Sequence, residues 1–223
     1  ACTTIGPAGL VAGETWTAAG SPYCVTGDIQ VTLLTLQPGT TVLVDGDYQI
    51  EVLSTITAIG TSSSPILFSA RTPGSCWKGL FFQNTLGGSQ FRHCIFESAD
   101  SSAVTLNVVQ ATTFEDCEFR GNHSATSGGA VNANGVTGDL IFRNCSFFGN
   151  VADAGDGGSV NAVGVTGSVI LQSCRFSGNS ASYSGGAVHV QVPRAGPVTM
   201  TDCIFERNVA NPDLVIGNYM GGA

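Results

Sequence analysis

FRNCSFFGNVADAGDGGSV, residues 142–160, decides the reading of the whole chain because it recurs. One copy earlier the chain reads FEDCEFRGN (residues 114–122), followed by GGAV (128–131). One copy later it reads LQSCRFSGN (171–179), again followed by GGAV (185–188). A fourth copy, MTDCIFERN (200–208), precedes a final GGA at Gly221, Gly222 and Ala223 after a longer interval. Cys117, Cys145, Cys174 and Cys203 are spaced 28, 29 and 29 residues apart. Phe119, Phe147, Phe176 and Phe205 keep that spacing, as do Asn122, Asn150, Asn179 and Asn208. A weaker copy, FRHCIFESA, surrounds Cys94 and Phe96. Copies in phase at such a period are the signature of a repeat architecture.

Cys and Phe two residues apart share one face of an extended strand. Three residues before each Cys stands another apolar residue, Phe91, Phe114, Phe142, Leu171 or Met200, and the odd spacing requires a bend between the two. After the Phe, a G-N or R-N pair and small polar residues read as a turn. GGAV reads as a short strand, and G-V-T-G (residues 135–138 and 164–167) as another turn. No 3.6-residue period is present. Three short strands in 28–29 residues make one rung of a parallel β-helix, with Cys, Phe and Val as internal ladders and Asn as a turn ladder about 4.8 Å per rung.

The alternation of F-x-x-N (Phe119/Asn122, Phe147/Asn150, Phe176/Asn179, Phe205/Asn208) with G-G-A-[ILV] (from Gly128, Gly157, Gly185 and Gly221) resembles the repeat of the chlamydial polymorphic membrane proteins. The rung at Cys94 departs from it, with Ala99 for Asn and Ser101-Ser102 for Gly-Gly, and the second Gly-Gly copy has Ser159 for Ala. The resemblance covers residues 91–223 and implies a right-handed β-helix and surface display. It says little about biochemical activity, because the repeat is a scaffold.

Bulk properties agree with an elongated β-solenoid. The 223 residues are 43% hydrophobic and only 11% charged, with 30 glycines. A formal net charge of −8 disfavours nucleic acid and anionic membranes as partners, and no apolar run approaches the ~20 residues of a membrane span. The first residues look like those of a mature chain after signal cleavage. Residues 1–90 read as less regular strands with turns near Gly27, Pro38-Gly39 and Gly46, resembling the first rungs of secreted bacterial β-helices. No linker is visible, so one domain over 1–223 is expected.

Cys94, Cys117, Cys145, Cys174 and Cys203 are expected as inward, free core residues. Cys2 and Cys24 are the most plausible disulfide, and Cys76 pairs with Cys94 or stays free. No C-x-x-C suggests a metal site.

Chemistry beyond the scaffold is sparse. A carbohydrate-active enzyme needs paired carboxylates on one face. The acidic candidates Asp45/Asp47, Glu97/Asp100, Glu115/Asp116/Glu118 and Asp153/Asp156 form no stripe persisting from rung to rung. Asp45, Asp47, Asp153 and Asp156 are weak calcium candidates, so structural calcium is the one cofactor entertained. His93, His123 and His189 fall at different repeat positions, implying no cluster or relay. An ice-binding face needs a flat outward threonine array; the threonines do not recur in phase, so no such face is expected.

The chain stops at Gly221-Gly222-Ala223 as if another strand were beginning, which fits either a piece of a longer protein or head-to-tail assembly through residues 210–223. The expectation is therefore a non-enzymatic extracellular structural or adhesive β-helix. Its partners would be itself, a surface protein or a glycan. The alternatives are a polysaccharide lyase or glycoside hydrolase, and a monomeric adhesin passenger.

Overall fold

The computed structural model describes residues 2–7, 9–191 and 196–210; Gly221, Gly222 and Ala223 lie outside the described residues. Within them the protein is all-β, wound as four parallel sheets. The first sheet runs through nine strands from Thr3–Ile5 to Ile204–Glu206. The second runs through eight from Leu10–Ala12 to Val188–Gln191, and the third through eight from Thr15–Trp16 to Val198–Thr201. A short fourth sheet joins His123–Ser124, Val151–Ala152, Ser180–Ala181 and Val209–Ala210. Each turn of the chain visits first, second and third sheet and then steps one strand along, which is a right-handed β-helix. No helix among the described residues is long and apolar enough to cross a membrane.

The repeat maps onto this cross-section with two corrections. A regular rung has four strands, not three, because His123–Ser124 and its counterparts form a two-residue strand after the Asn. Gly-Gly-Ala is not itself a strand: the strand begins at the following Val131, Val160 or Val188. The two glycines instead let rungs close on one another. A Cβ on Gly129 would lie 2.4 Å from the Gly158 carbonyl oxygen, so no larger residue fits there. The 28–29-residue rung holds only in the regular half. Register partners Tyr23 and Val42 are 19 residues apart, and Phe96 and Phe119 are 23.

One left-handed residue makes the bend before each Cys. His93, Asp116, Asn144, Ser173 and Asp202 have φ of 47, 53, 52, 54 and 55°. That single residue turns the chain from third to first sheet and lets Phe114 and Cys117, three apart, both point inward. Phe68, Phe96, Phe119, Phe147, Phe176 and Phe205 stack with ring centroids 4.6–4.9 Å apart. A second column, Phe91, Phe114 and Phe142, stacks at 5.0 Å and meets the first edge-on at 5.5–5.6 Å. Each contact of this kind adds about 0.5–1.5 kcal/mol beyond burial alone. The cysteines stand at the corner, Cys94 to Cys174 buried and Cys203 half-buried, all as free thiols. Cys117 donates to the carbonyls of Glu115 and, one rung earlier, Phe91. Cys76 is exposed and free, so it does not pair with buried Cys94. Cys2 and Cys24 are disulfide-bonded, Cα–Cα 6.0 Å, beside a Trp16–Tyr23 stack that fills the first rungs where no phenylalanine is available.

The asparagines continue these ladders at the next turn. Asn122, Asn150 and Asn179 each donate Nδ2–H to the Oδ1 of the asparagine one rung on, at 3.0, 3.0 and 2.9 Å. Where Ala99 replaces the Asn, its backbone N–H still donates to Asn122 Oδ1, so the ladder starts there.

The register also overturns the expectation about threonine. Thr15, Thr35, Thr57, Gln90, Thr113, Ile141, Ile170 and Thr199 pair in sequence as one outward column of the third sheet. Unequal rung lengths hide the phase in the linear sequence; strand pairing restores it.

Candidate functional site

The outer face of the second sheet carries the most developed surface feature. Its strands alternate, so Leu80 and Phe82 point inward while Phe81 points out. In register, the outward residues form a column of Leu10, Gln30, Glu51, Phe81, Thr105, Asn132, Asn161 and His189. Two clefts lie over this column. One of about 510 Å³ is lined by Leu10, Asp28, Gln30, Gln49, Glu51 and Lys78 among others. The next, about 270 Å³, is lined by Phe81, Ser101, Ser102, Thr105, Ser124, Thr126 and Asn132, and shares Gln49 and Lys78 with the first. The pair forms a groove parallel to the helix axis. Its floor is the column from Leu10 to Asn132, which Asn161 and His189 continue beyond the clefts, and its wall is made of residues just before each strand.

The floor is largely amide, hydroxyl and aromatic. Gln30 Nε2 donates to Glu51 Oε2 at 2.8 Å. Asn161 Nδ2 donates to Asn132 Oδ1 at 3.0 Å, and His189 Nδ1 lies 2.8 Å from Asn161 Oδ1. Phe81 is half-buried and stands in register between Glu51 and Thr105. On the wall, Lys78 Nζ is 3.1 Å from Asp47, and Asp28 accepts the Gln49 backbone N–H at 2.8 Å. Asp28 and Glu51 share the larger cleft.

Beside the wall stands an arrangement that the repeat pattern conceals. His123 lies between two carboxylates from the rungs above and below: Nδ1 meets Asp100 and Nε2 meets Asp153 Oδ2 at 2.7 Å. Partial burial disfavours the imidazolium, but the bonds to Asp153 and Asp100 outweigh it and raise the His123 pKa above its ordinary value. His123 and Asp153 are thus linked although they occupy different repeat positions. Stacking of successive rungs brings them together: His123 pairs in register with Val151, two residues before Asp153.

The calcium candidates do not converge. Asp45 faces Arg71 and Asp47 faces Lys78, so each has a cation where a metal would sit. Asp153 is held by His123, and Asp156 accepts the Ser184 backbone N–H at 2.8 Å. Among the described residues no group of three or more His, Cys, Asp or Glu has metal-holding geometry. Glu118 pairs with Arg120, which also reaches Glu97 at 2.7 Å; these are lateral ion pairs on the first sheet.

The sequence pattern singled out the inward ladders and missed the groove, because from Leu10 to Asn132 its column changes residue type at every rung. The signal available was the pair Asn132 and Asn161, each at the second position of the strand that follows a Gly-Gly-Ala or Gly-Gly-Ser turn.

Compared with known proteins, residues 74–220 match the family model described as the right handed beta helix region. No curated protein and no solved structure matches the chain. The matched span begins beside Trp77, whose indole donates to the Glu97 carbonyl, and runs through all the regular rungs. With the parallel ladders already described, it assigns the chain to the right-handed β-helix family.

Proposed function

We propose that this β-helix is a non-catalytic, extracellular adhesive scaffold that holds a neutral glycan in the groove of its second sheet. The observation carrying the reading is the groove floor: Thr105 and Asn132 line one cleft with half-buried Phe81, and Gln30 lines the adjoining cleft, offering donors and acceptors along the floor. Amides and hydroxyls suit vicinal sugar hydroxyls, and an aromatic face suits the C–H face of a pyranose. The Cys2–Cys24 disulfide and the resemblance to chlamydial surface repeats support an oxidising, exterior location. Neutral and acidic polysaccharides tested by calorimetry against the full chain would decide: a neutral polymer binds, and Phe81→Ala abolishes binding. Binding unaffected by Phe81→Ala, or no binding at all, overturns the reading.

A carbohydrate-active enzyme is the second reading, favoured by Asp28 and Glu51 sharing one cleft with Lys78. Release of new reducing or unsaturated ends, lost in Glu51→Gln, supports it. End-to-end association is the third. Val198 and Met200 occupy inward register positions yet are 42% and 45% exposed, so a further rung, from the chain's continuation or from another copy, would bury them. Growth of mass with concentration supports association between copies.

A further inference from the structure

We propose that the outer face of the third sheet binds the ordered water of an ice surface. The observation is the outward column in which Thr15, Thr35 and Thr57 occupy three consecutive strands, with Thr113 and Thr199 farther along. Backbone hydrogen bonding between parallel strands fixes their repeat at about 4.8 Å, close to the spacing of oxygen rows in ice.

Threonine suits such an array for two reasons. Its β-branched side chain has few χ1 states on a strand, so hydroxyl and methyl positions repeat from rung to rung. The hydroxyl both donates and accepts, while the methyl restricts the orientations of water lodged between neighbouring rungs. Ile141 and Ile170 keep the branched shape where the hydroxyl is lost, and Gln90 alone breaks it.

A second observation is that the column hydroxyls are unengaged, unlike those of several threonines elsewhere. Thr40, Thr105, Thr112, Thr137 and Thr166 all give their hydroxyls to backbone carbonyls. Among the described residues, none of the five column threonines has a protein partner for its hydroxyl, and Thr15, Thr35, Thr57 and Thr199 are exposed. The neighbouring charges Arg92 and Glu115 are 3.9 Å apart and face each other, and they lie beyond the Thr15–Thr57 run. That run is therefore the uncharged part of the face, and the binding is assigned to it.

The purified full chain is assayed for thermal hysteresis and ice-crystal shape, beside T35K/T57K, T57Y and F81A. Circular dichroism checks that each variant retains its β signal. The expected result is faceted crystals and a freezing-point gap for the native chain and F81A, with the gap falling to the buffer value in T35K/T57K and T57Y. Round, freely growing crystals with the native chain overturn the proposal. So does full activity in either folded column variant. Because F81A lies on the second sheet, loss of glycan binding there leaves this result unaffected, and the two readings fail separately.

Discussion

Asn150 gives both its backbone N–H and its side-chain Nδ2–H to a single oxygen, Oδ1 of Asn179, at 2.9 and 3.0 Å. The same Nδ2 also donates to the Phe119 carbonyl one rung back, at 3.0 Å. All these groups are buried, so each asparagine satisfies a turn that no backbone ladder reaches. Asn150→Ala strands the N–H groups of Asn122 that donate to Asn150 Oδ1, together with the Phe119 carbonyl. Unpaired buried polar groups cost about 1–3 kcal/mol each, so a loss of about 3 kcal/mol or more is expected in denaturant unfolding. Asn208→Ala, on a half-buried rung, is expected to lose less. Equal losses would mean that the ladder is not cooperative between rungs.

Ser159 is the exception within the Gly-Gly-Ala turns. Its neighbours in the stack, Ala130 and Ala187, present only methyl groups, whereas the Ser159 hydroxyl is buried with no hydrogen-bond partner. Ser159→Ala removes that orphan and matches the adjacent rungs. A gain of about 1 kcal/mol is expected, read as a higher denaturant midpoint at unchanged slope. A destabilised variant would point to a hidden partner for the hydroxyl.

The inward half of this architecture was legible in the sequence because inward positions repeat their chemistry. Phe119, Phe147 and Phe176 must resemble one another to stack, and Asn150 must be followed by Asn179 to pass on its hydrogen bonds. Phe68 escaped because Ile66 stands where its rung would carry the cysteine. Outward positions obey no such constraint, so Gln30, Glu51, Phe81 and Thr105 share a column without sharing a type. The threonine column was hidden for a different reason. Its members are 20, 22 and 33 residues from one to the next before Thr113, and only strand register aligns such unequal steps.

His123 sets a pH dependence with a definite sign. Although partial burial opposes the charge, Asp153 and Asp100 raise its folded-state pKa above the ordinary histidine value. A raised pKa means the folded state binds the proton more tightly than the unfolded chain. The stability it contributes is full below about pH 6.5 and is lost as pH rises through the folded-state value. An NMR titration of the His123 ring should show the raised midpoint, falling toward the ordinary value in Asp153→Asn. An unchanged midpoint in that variant would break the assignment.

Thiol reactivity should follow exposure along the corner column. Burial, reinforced by neighbouring Cys117, pushes the Cys94 and Cys145 thiols well above the usual range. Cys76 is exposed, and its pKa is raised by residual burial and then by the charges of Asp100 and Asp47. The thiolate is the reactive form. Alkylation of the native chain should therefore modify Cys76 first, with a rate that rises at higher pH than for an ordinary thiol. Peptide mapping that finds Cys117 or Cys145 modified as fast would contradict the buried ladder.

Two glycines separate backbone conformation from space. Gly149 has φ of 59° with open space around its Cβ position, and the chain itself places Ser98 and Arg207 at equivalent corners with φ of 60 and 55°. Gly149→Ala therefore adds only left-handed strain, about 1–2 kcal/mol. At Gly158 a Cβ would lie 2.0 Å from the Gly186 carbonyl oxygen and 2.6 Å from that of Ser180. Both are backbone atoms in the next rung and cannot rotate away. Relieving that overlap requires the stack to separate, which breaks the hydrogen bond from the Gly158 N–H to the Gly185 carbonyl. Gly158→Ala should consequently lower the unfolding midpoint far more than Gly149→Ala. Comparable midpoints for the two variants would show that the Gly-Gly turn is looser than its spacing implies.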